Sequence, residues 1–431
     1  MKLKSLALPL IVAALIGAGM TSAKTPTRGR MIKRPLHIEN KTGFVQVHGP
    51  NLIKPDGSQL FIIGTNLGNW LNPEGYMFGF GRTNAPRQIN DLFCELVGPE
   101  FTADFWKQYK DNYITRKDIE YIASTGANTI RLPFHYKLFT DEDYMGLTKD
   151  QDGFARMDSV IKWSRDNNLF VILDMHDAPA GQTGDNIDDS YGYPWLFESP
   201  KAQAQIIDIW HRIADRYKDE PVILGYELMN EPIATHFDKE TTARLNAELE
   251  PLYKRITKAI REVDHNHIIL AGAPQWNTNF SVFQDTDFDP QLMYTCHRYG
   301  GDPTPESLQH YIDFRNKTNR PMYMGEIGHN SDEWQSTMVQ IMQDNNIGYT
   351  FWPYKKRDNS CMMGVSMPAE WDSIVKFSEG PHATFAEIRE HRPDQALVRK
   401  AMTQYLDNIR FENCKPQVNY IKSMGLYVPE K

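Results

Sequence analysis

Between residues 60 and 352 the chain alternates eight short apolar runs with longer amphipathic stretches. The runs occupy 60–67, 128–134, 169–175, 222–229, 267–271, 291–296, 321–325 and 347–352. They are continuously apolar rather than alternating, as strands covered on both faces must be. Helical spacing fills 118–124, 154–167, 202–217, 242–263, 305–316 and 332–344. In the third of these, Gln203, Ile206, Ile207, Trp210, Ile213, Ala214 and Tyr217 follow the mixed i, i+3, i+4 spacing of a helix with one buried face. Eight such units predict an α/β fold closed as a (β/α)8 TIM barrel rather than an open sheet. Only the link after the fifth run lacks a long helical pattern.

Residues 44–59 predict an N-terminal β-hairpin cap, with the turn chemistry of Lys54-Pro55-Asp56-Gly57-Ser58 reversing the chain. Residues 384–391 and 394–411 predict closing helices. The long segments 68–99 and 177–199 are rich in Gly, Asn and aromatics. They follow the first and third strands and so fall on the loop face where barrel active sites are built. No repeat, low-complexity linker or second-domain boundary interrupts 44–431.

The chain opens differently. Lys2 and Lys4 form a basic head, residues 5–20 are mostly small and apolar, and Thr21-Ser22-Ala23 offers the small side chains of a cleavage site. The apolar stretch contains Pro9 and falls short of the roughly 18–20 residues of a membrane span. Residues 1–23 are therefore expected to be a signal peptide and 24–43, with Arg28, Arg30, Lys33 and Arg34, a solvated leader. The mature protein is expected to be exported, periplasmic or extracellular, without a membrane span, and monomeric. Its charge counts against nucleic acid as a partner: 47 basic and 55 acidic residues give −8, and loss of Lys2 and Lys4 makes that −10. Cys94, Cys296, Cys361 and Cys414 all lie in the exported part, where disulfides can form. Their spacing leaves three pairings open and is too wide for a structural zinc site. Cys296, inside an apolar run, equally suits a buried free thiol.

Chemistry concentrates at the strand ends. The second strand ends Thr129-Ile130-Arg131-Leu132-Pro133, the third Asp174-Met175-His176-Asp177 and the fourth Asn230-Glu231-Pro232. The sixth ends Cys296-His297-Arg298-Tyr299, the seventh Gly325-Glu326-Ile327-Gly328 and the eighth Phe351-Trp352-Pro353-Tyr354. In a parallel barrel these termini converge on one mouth. Each alone has a bland explanation: an arginine in a strand is usually paired structurally, and a lone histidine is usually a satisfied core residue. Their joint placement argues for a site. Two glutamates handed from buried strands to loops, Glu231 and Glu326, are the minimum equipment for cleaving a glycosidic bond with one acid and one nucleophile. Glu227 lies mid-strand and is expected to partner an arginine or lysine instead.

Together these residues resemble glycoside hydrolase family 5, the cellulase-like retaining β-glycosidases. Eight positions match that family's pattern in order, Arg131, His176, Asn230, Glu231, His297, Tyr299, Glu326 and Trp352, and the likeness covers roughly 44–391. Within the family, Gly64-Thr-Asn-Leu-Gly-Asn-Trp70 and the segment from Phe105-Trp106 to Arg131-Leu-Pro133 look most like the exo-β-1,3-glucanase branch, although Asp177 stands where that branch commonly has Gly. The resemblance implies a barrel catalytic domain over 44–431 acting on a β-linked oligo- or polysaccharide, with no metal and no cofactor. It makes Glu231 the acid/base and Glu326 the nucleophile, with Arg131 and Tyr299 donating to Glu326 and His297 orienting Glu231. Asn230 would bond the sugar 2-hydroxyl, His176 would line the subsite and Trp352 would floor it. Trp276, Trp70 and Trp195, with Tyr193 and Tyr354, lie just past strand ends and are candidates to extend the cleft.

Two other readings are set against this one. A metal-dependent barrel hydrolase would use Asp174, His176, His297 and a glutamate, but no His-x-His pair on one strand supports it. A non-catalytic glycan-binding barrel is the other, since a fold does not prove activity.

Overall fold

The computed structural model describes residues 36–146 and 151–431. The expected signal peptide, residues 1–23, and residues 24–35 of the expected leader lie outside that range. Eight parallel strands close into a barrel in sequence order: Ile63–Asn66, Thr129–His135, Phe170–Asp177, Ile223–Glu227, Ile268–Gly272, Leu292–Arg298, Met322–Gly328 and Gly348–Trp352. The last pairs with the first through Tyr349 to Ile63 and Phe351 to Thr65. Every expected strand is present, shortened or lengthened by a few residues at its ends. Outside them lie the expected helices, among them Arg116–Ser124, Gln151–Asp166, Pro200–Tyr217, Lys239–Arg261, Gln309–Thr318 and Asp332–Asp344. Ser199, Asp238 and Ser331 cap three of these by accepting backbone N–H groups of the first turn.

Alternation along each strand splits the apolar residues into two layers. Ile130, Leu132, Val171, Leu173, Met322 and Met324 face the helices, whereas Ile172, Leu224, Leu270, Met293 and Tyr323 fill the barrel floor. That floor is sealed from below by Val45, Leu52, Leu60 and Ile62. The cap is a three-stranded antiparallel sheet, Gln46–His48, Asn51–Ile53 and Gln59–Leu60, one strand more than the expected hairpin. Residues 36–43 are not a free leader either. His37 bridges to Ser58, and Asn40 Nδ2 donates to the carbonyls of Phe44 and Ile53 at 2.6 and 3.1 Å.

Two helices absent from the sequence reading, Pro86–Val97 and Pro99–Tyr113, occupy the segment after the first strand. They pack with Trp371–Glu379 and Gln395–Asn408 around Phe78, Phe93, Phe105, Trp106, Tyr109, Trp371 and Tyr405. A second small sheet, Lys355–Arg357, Met363–Val365 and Lys415–Pro416, ties the C-terminal segment to the end of the barrel. All four cysteines are free thiols. No described helix is long and apolar enough to cross a membrane.

Candidate active site

Glu326 reaches the barrel interior through an irregularity. On the seventh strand Met324 pairs with Cys296 and Glu326 with His297, so Gly325 is one residue extra. Met322 and Met324 face the helices, and strict alternation would send Glu326 the same way; the extra residue turns it inward. Only glycine fits there, because a Cβ would stand 2.3 Å from Thr295 Oγ1. The Gly325 carbonyl is held by Asn66 Nδ2 at 3.1 Å and Thr350 Oγ1 at 2.5 Å.

Arg131 organises the charges around it. Fully buried, its guanidinium donates from Nε and Nη2 to Glu227 at 2.8 Å each, from Nη2 to Asn230 Oδ1 at 2.8 Å, and from Nη1 to Glu326 Oε1 at 2.7 Å. Asn66 Oδ1 accepts from Nη1 at 3.0 Å, and Asp174 Oδ2 lies 3.0 Å from Nη2. Such a fork, with every donor used, fixes the direction of each partner as well as its charge. The other oxygen of Glu326 accepts from the Tyr299 hydroxyl at 2.6 Å. Burial alone would favour a neutral carboxyl, but His297, Arg131, His176 and the Tyr299 hydroxyl together hold Glu326 down at about 2.

Glu231 sits differently. Its Oε1 meets His297 Nδ1 at 2.7 Å, and His297 Nε2 lies 3.1 Å from Asn277 Nδ2. Among the described residues no arginine pairs with it. One carboxylate oxygen of Glu231, one of Glu326 and a His297 ring nitrogen all lie within 4.8 Å of one another. The backbone at Glu231 is left-handed, φ +40°, ahead of Pro232 and followed by Ile233 at +57°. For a residue with a Cβ that conformation costs of order 1–3 kcal/mol and persists only where the surroundings enforce it.

His176 bonds Asp174 Oδ2 through Nδ1 at 2.8 Å. Burial disfavours its charge, yet Asp174, with Glu74 and Glu326, raises it to about 10. Trp352 stacks on its ring at 5.1 Å between centroids and 2° between planes, and the indole Nε1–H donates to Tyr76 at 2.7 Å. The Tyr76 hydroxyl in turn lies 3.2 Å from His329 Nε2, and burial beside Lys356 lowers His329 to about 4. All eight residues of the family pattern thus converge on one mouth.

The outer aromatics divide. Trp70 is core: it is 1% exposed, its Nε1–H donates to the Lys110 carbonyl at 2.8 Å, and it does not line the cleft. Tyr354 is likewise buried, with its hydroxyl on Asp118. Helix 99–113, which the sequence reading lacked, supplies the carbonyl that holds the first of these. Trp276 is half-buried in a left-handed turn, and Trp195 is 45% exposed beside Tyr193.

Sequence reasoning missed Glu74, Tyr76, His329, Asn66 and Asn277. Glu74 is nearly enclosed, its Oε1 is 3.7 Å from His176 Nε2 and has no hydrogen-bond partner, and burial raises its pKa. Their signal was position alone: Asn66 ends the first strand, Glu74 and Tyr76 lie in the loop after it, and Asn277 and His329 follow the fifth and seventh strand ends. Asp174 and His176 pair with each other while His297 joins Glu231, so the four-residue metal set does not assemble. A second cluster, His135 with Asp177 and Asp189, brings one ligand atom from each within 4.8 Å of the others. His135 Nδ1 accepts the Lys137 N–H, which places the proton on Nε2, facing the carboxylates.

The model of the cellulase family, glycosyl hydrolase family 5, matches residues 94–358, more than half of the chain. The chain belongs to glycosyl hydrolase family 5. Family 5 relatives differ in what they are named for. Endoglucanase C of Acetivibrio thermocellus is 26% identical over 318 residues, 59% of this chain and 88% of the relative. Glucan 1,3-beta-glucosidase I/II of Saccharomyces cerevisiae is 27% identical over 277 residues, 61% of this chain and 58% of that one. A beta-xylosidase of Phanerodontia chrysosporium is 28% identical over 271 residues, and the match spans 54% of its length. Among solved structures, rutinosidase from Aspergillus niger superposes with TM-score 0.55 at 18% identity, covering 69% of this chain and 91% of its own. An endogalactoceramidase superposes equally well, TM-score 0.55 at 18% identity over 73% and 75%. These likenesses establish the barrel of family 5 and no more.

Proposed function

We propose that this family 5 protein is an exported β-glycosidase that cleaves a β-glucan with retention of configuration. One observation carries the reading: Glu231 and Glu326 bring carboxylate oxygens within 4.8 Å of each other. Double displacement needs carboxyl groups roughly 5–5.5 Å apart, whereas inversion needs roughly 6.5–9.5 Å to admit a water. The endoglucanase and glucan glucosidase names of two relatives support a β-glucan as substrate. Export rests on the pattern of residues 1–23.

The unequal surroundings of the two carboxyls divide the labour. Glu326, held ionised by Arg131 and Tyr299, attacks the anomeric carbon. As the glycosidic C–O bond breaks, Glu231 gives its proton to the departing oxygen. The sugar is then esterified to Glu326. Water enters, Glu231 takes its proton, the water oxygen bonds the anomeric carbon, and Glu326 leaves as a carboxylate. Asn230, whose Oδ1 is committed to Arg131 and whose Nδ2 lies 3.4 Å from His176 Nε2, offers the second Nδ2 hydrogen to the sugar 2-hydroxyl, a bond that strengthens as positive charge develops. Trp352, parallel to His176, offers an indole to the sugar ring.

Proton NMR of a digest of β-glucan oligosaccharides tests this. The first-formed reducing end is expected to be the β-anomer, and Glu326→Ala is expected to lose activity that azide restores as an α-glycosyl azide. An α-anomer from the wild type, or unchanged cleavage by Glu326→Ala, overturns the reading. Product profiles on β-1,3-, β-1,4- and β-1,6-glucans assign the linkage.

A further inference from the structure

The left-handed turn at Glu231 is held by a neighbouring loop rather than by its own strand. Two consecutive residues of the loop after the third strand, Gln182 and Thr183, grip the peptide planes on either side of Glu231. Gln182 Nε2 donates to the Asn230 carbonyl at 2.9 Å, and Thr183 Oγ1 donates to the Glu231 carbonyl at 2.8 Å. Those oxygens report the orientation of the peptides before and after Glu231, so pinning both fixes its φ and ψ. The main chain of the same pair adds a second grip: Ile233 N–H donates to the Gln182 carbonyl and Ala234 N–H to that of Thr183, both at 2.9 Å.

The gripping residues are themselves anchored. Gln182 Oε1 accepts the Ala178 N–H at 2.9 Å, and its Nε2 also donates to the His176 carbonyl at 2.7 Å. Thr183 N–H donates to Asp188 Oδ2 at 2.6 Å. All three of these side chains are buried. From this geometry we infer that Gln182 and Thr183 are positioning residues for the proton-donating carboxyl. They convert the order of the loop after the third strand into the placement of Glu231 beside His297. The inference rests on the acid/base reading of Glu231 and deepens it.

The test compares Thr183→Val, which keeps shape and loses the donor, with Thr183→Ser, which keeps the donor, and with Glu231→Ala. Each is assayed for kcat/KM on phenyl and 2,4-dinitrophenyl β-glucosides and β-cellobiosides. Dinitrophenolate departs without a proton, so only the phenyl substrates demand an acid in the first step. A misplaced acid costs roughly 10- to 100-fold. Thr183→Val is expected to lose about that much on phenyl glycosides and several-fold less on the dinitrophenyl ones, with Thr183→Ser near wild type. A loss equal on both leaving groups, or shared equally by Thr183→Ser, indicates a structural role and overturns the inference. If Glu231→Ala also fails to discriminate between leaving groups, the acid assignment falls with it. Discrimination by Glu231→Ala but not by Thr183→Val overturns the positioning claim alone.

Discussion

Arg131 and Glu227 meet fork to fork, Nε to Oε2 and Nη2 to Oε1, both at 2.8 Å, with neither side chain exposed. Besides Arg131, Glu227 accepts from the Tyr323 hydroxyl at 3.2 Å and feels the charges of Asp174 and His297. Its hydrogen-bonded hold on the site is through Arg131. Glu227→Leu leaves the guanidinium without its bidentate partner in the buried interior. Removing one member of such a pair costs about 3–5 kcal/mol. Denaturant unfolding checks this, and a loss below about 1 kcal/mol would contradict it.

The His176–Asp174 pair makes stability depend on pH. The fold raises the His176 pKa to about 10 from an ordinary value of 6.5, so it favours the protonated form. That contribution is complete below the unfolded pKa and disappears as pH climbs through the folded one. The Tm is expected to fall between about pH 7 and pH 10. Asp174→Asn, which removes the counter-charge, should flatten that stretch of the Tm curve. An equal slope in the variant would place the dependence elsewhere.

Tyr299 donates to the same Glu326 carboxylate that Arg131 holds. A hydrogen bond to the ionised form lowers a carboxyl pKa, so losing it raises the pKa. Tyr299→Phe should accordingly move the acidic limb of the kcat/KM profile to higher pH while the basic limb stays. A shift toward lower pH would refute the contact as a stabiliser of the charged nucleophile.

Two tryptophans that look alike in sequence should behave oppositely. Trp70→Phe strands the Lys110 carbonyl in the core, which costs about 1–3 kcal/mol of stability. KM should hardly change. Trp352→Phe loses the bond to Tyr76 beside the reacting sugar and should raise KM or lower kcat more than it lowers Tm. Paired melting curves and kinetics on both variants decide it.

The eight strands were legible because burial on both faces leaves an unbroken apolar mark, and strand ends locate a mouth without any distance information. Arg131, His176, Asn230, Glu231, His297, Tyr299, Glu326 and Trp352 could be named for that reason. Helices 86–97 and 99–113 escaped because Gly, Asn and Pro in the preceding segment read as loop, while their packing partners lie some 270 residues downstream at Trp371 and others. Trp70 was misplaced by the same gap, since nothing local says that its indole N–H will donate to the Lys110 carbonyl. Glu74 and Thr183 are ordinary loop residues until tertiary contacts bring them to His176 and Glu231.

Gly325 makes the arithmetic of one strand decisive. If the strand kept Gly325 but ran with a strict two-residue beat and no bulge, the Glu326 carboxylate would swing through the barrel wall into the layer of Ile130, Leu132 and Met324. A charge there would be stranded in the most apolar part of the molecule, with its arginine left behind. At this position catalysis and folding share a single parity: a strand that flattens the bulge forfeits both.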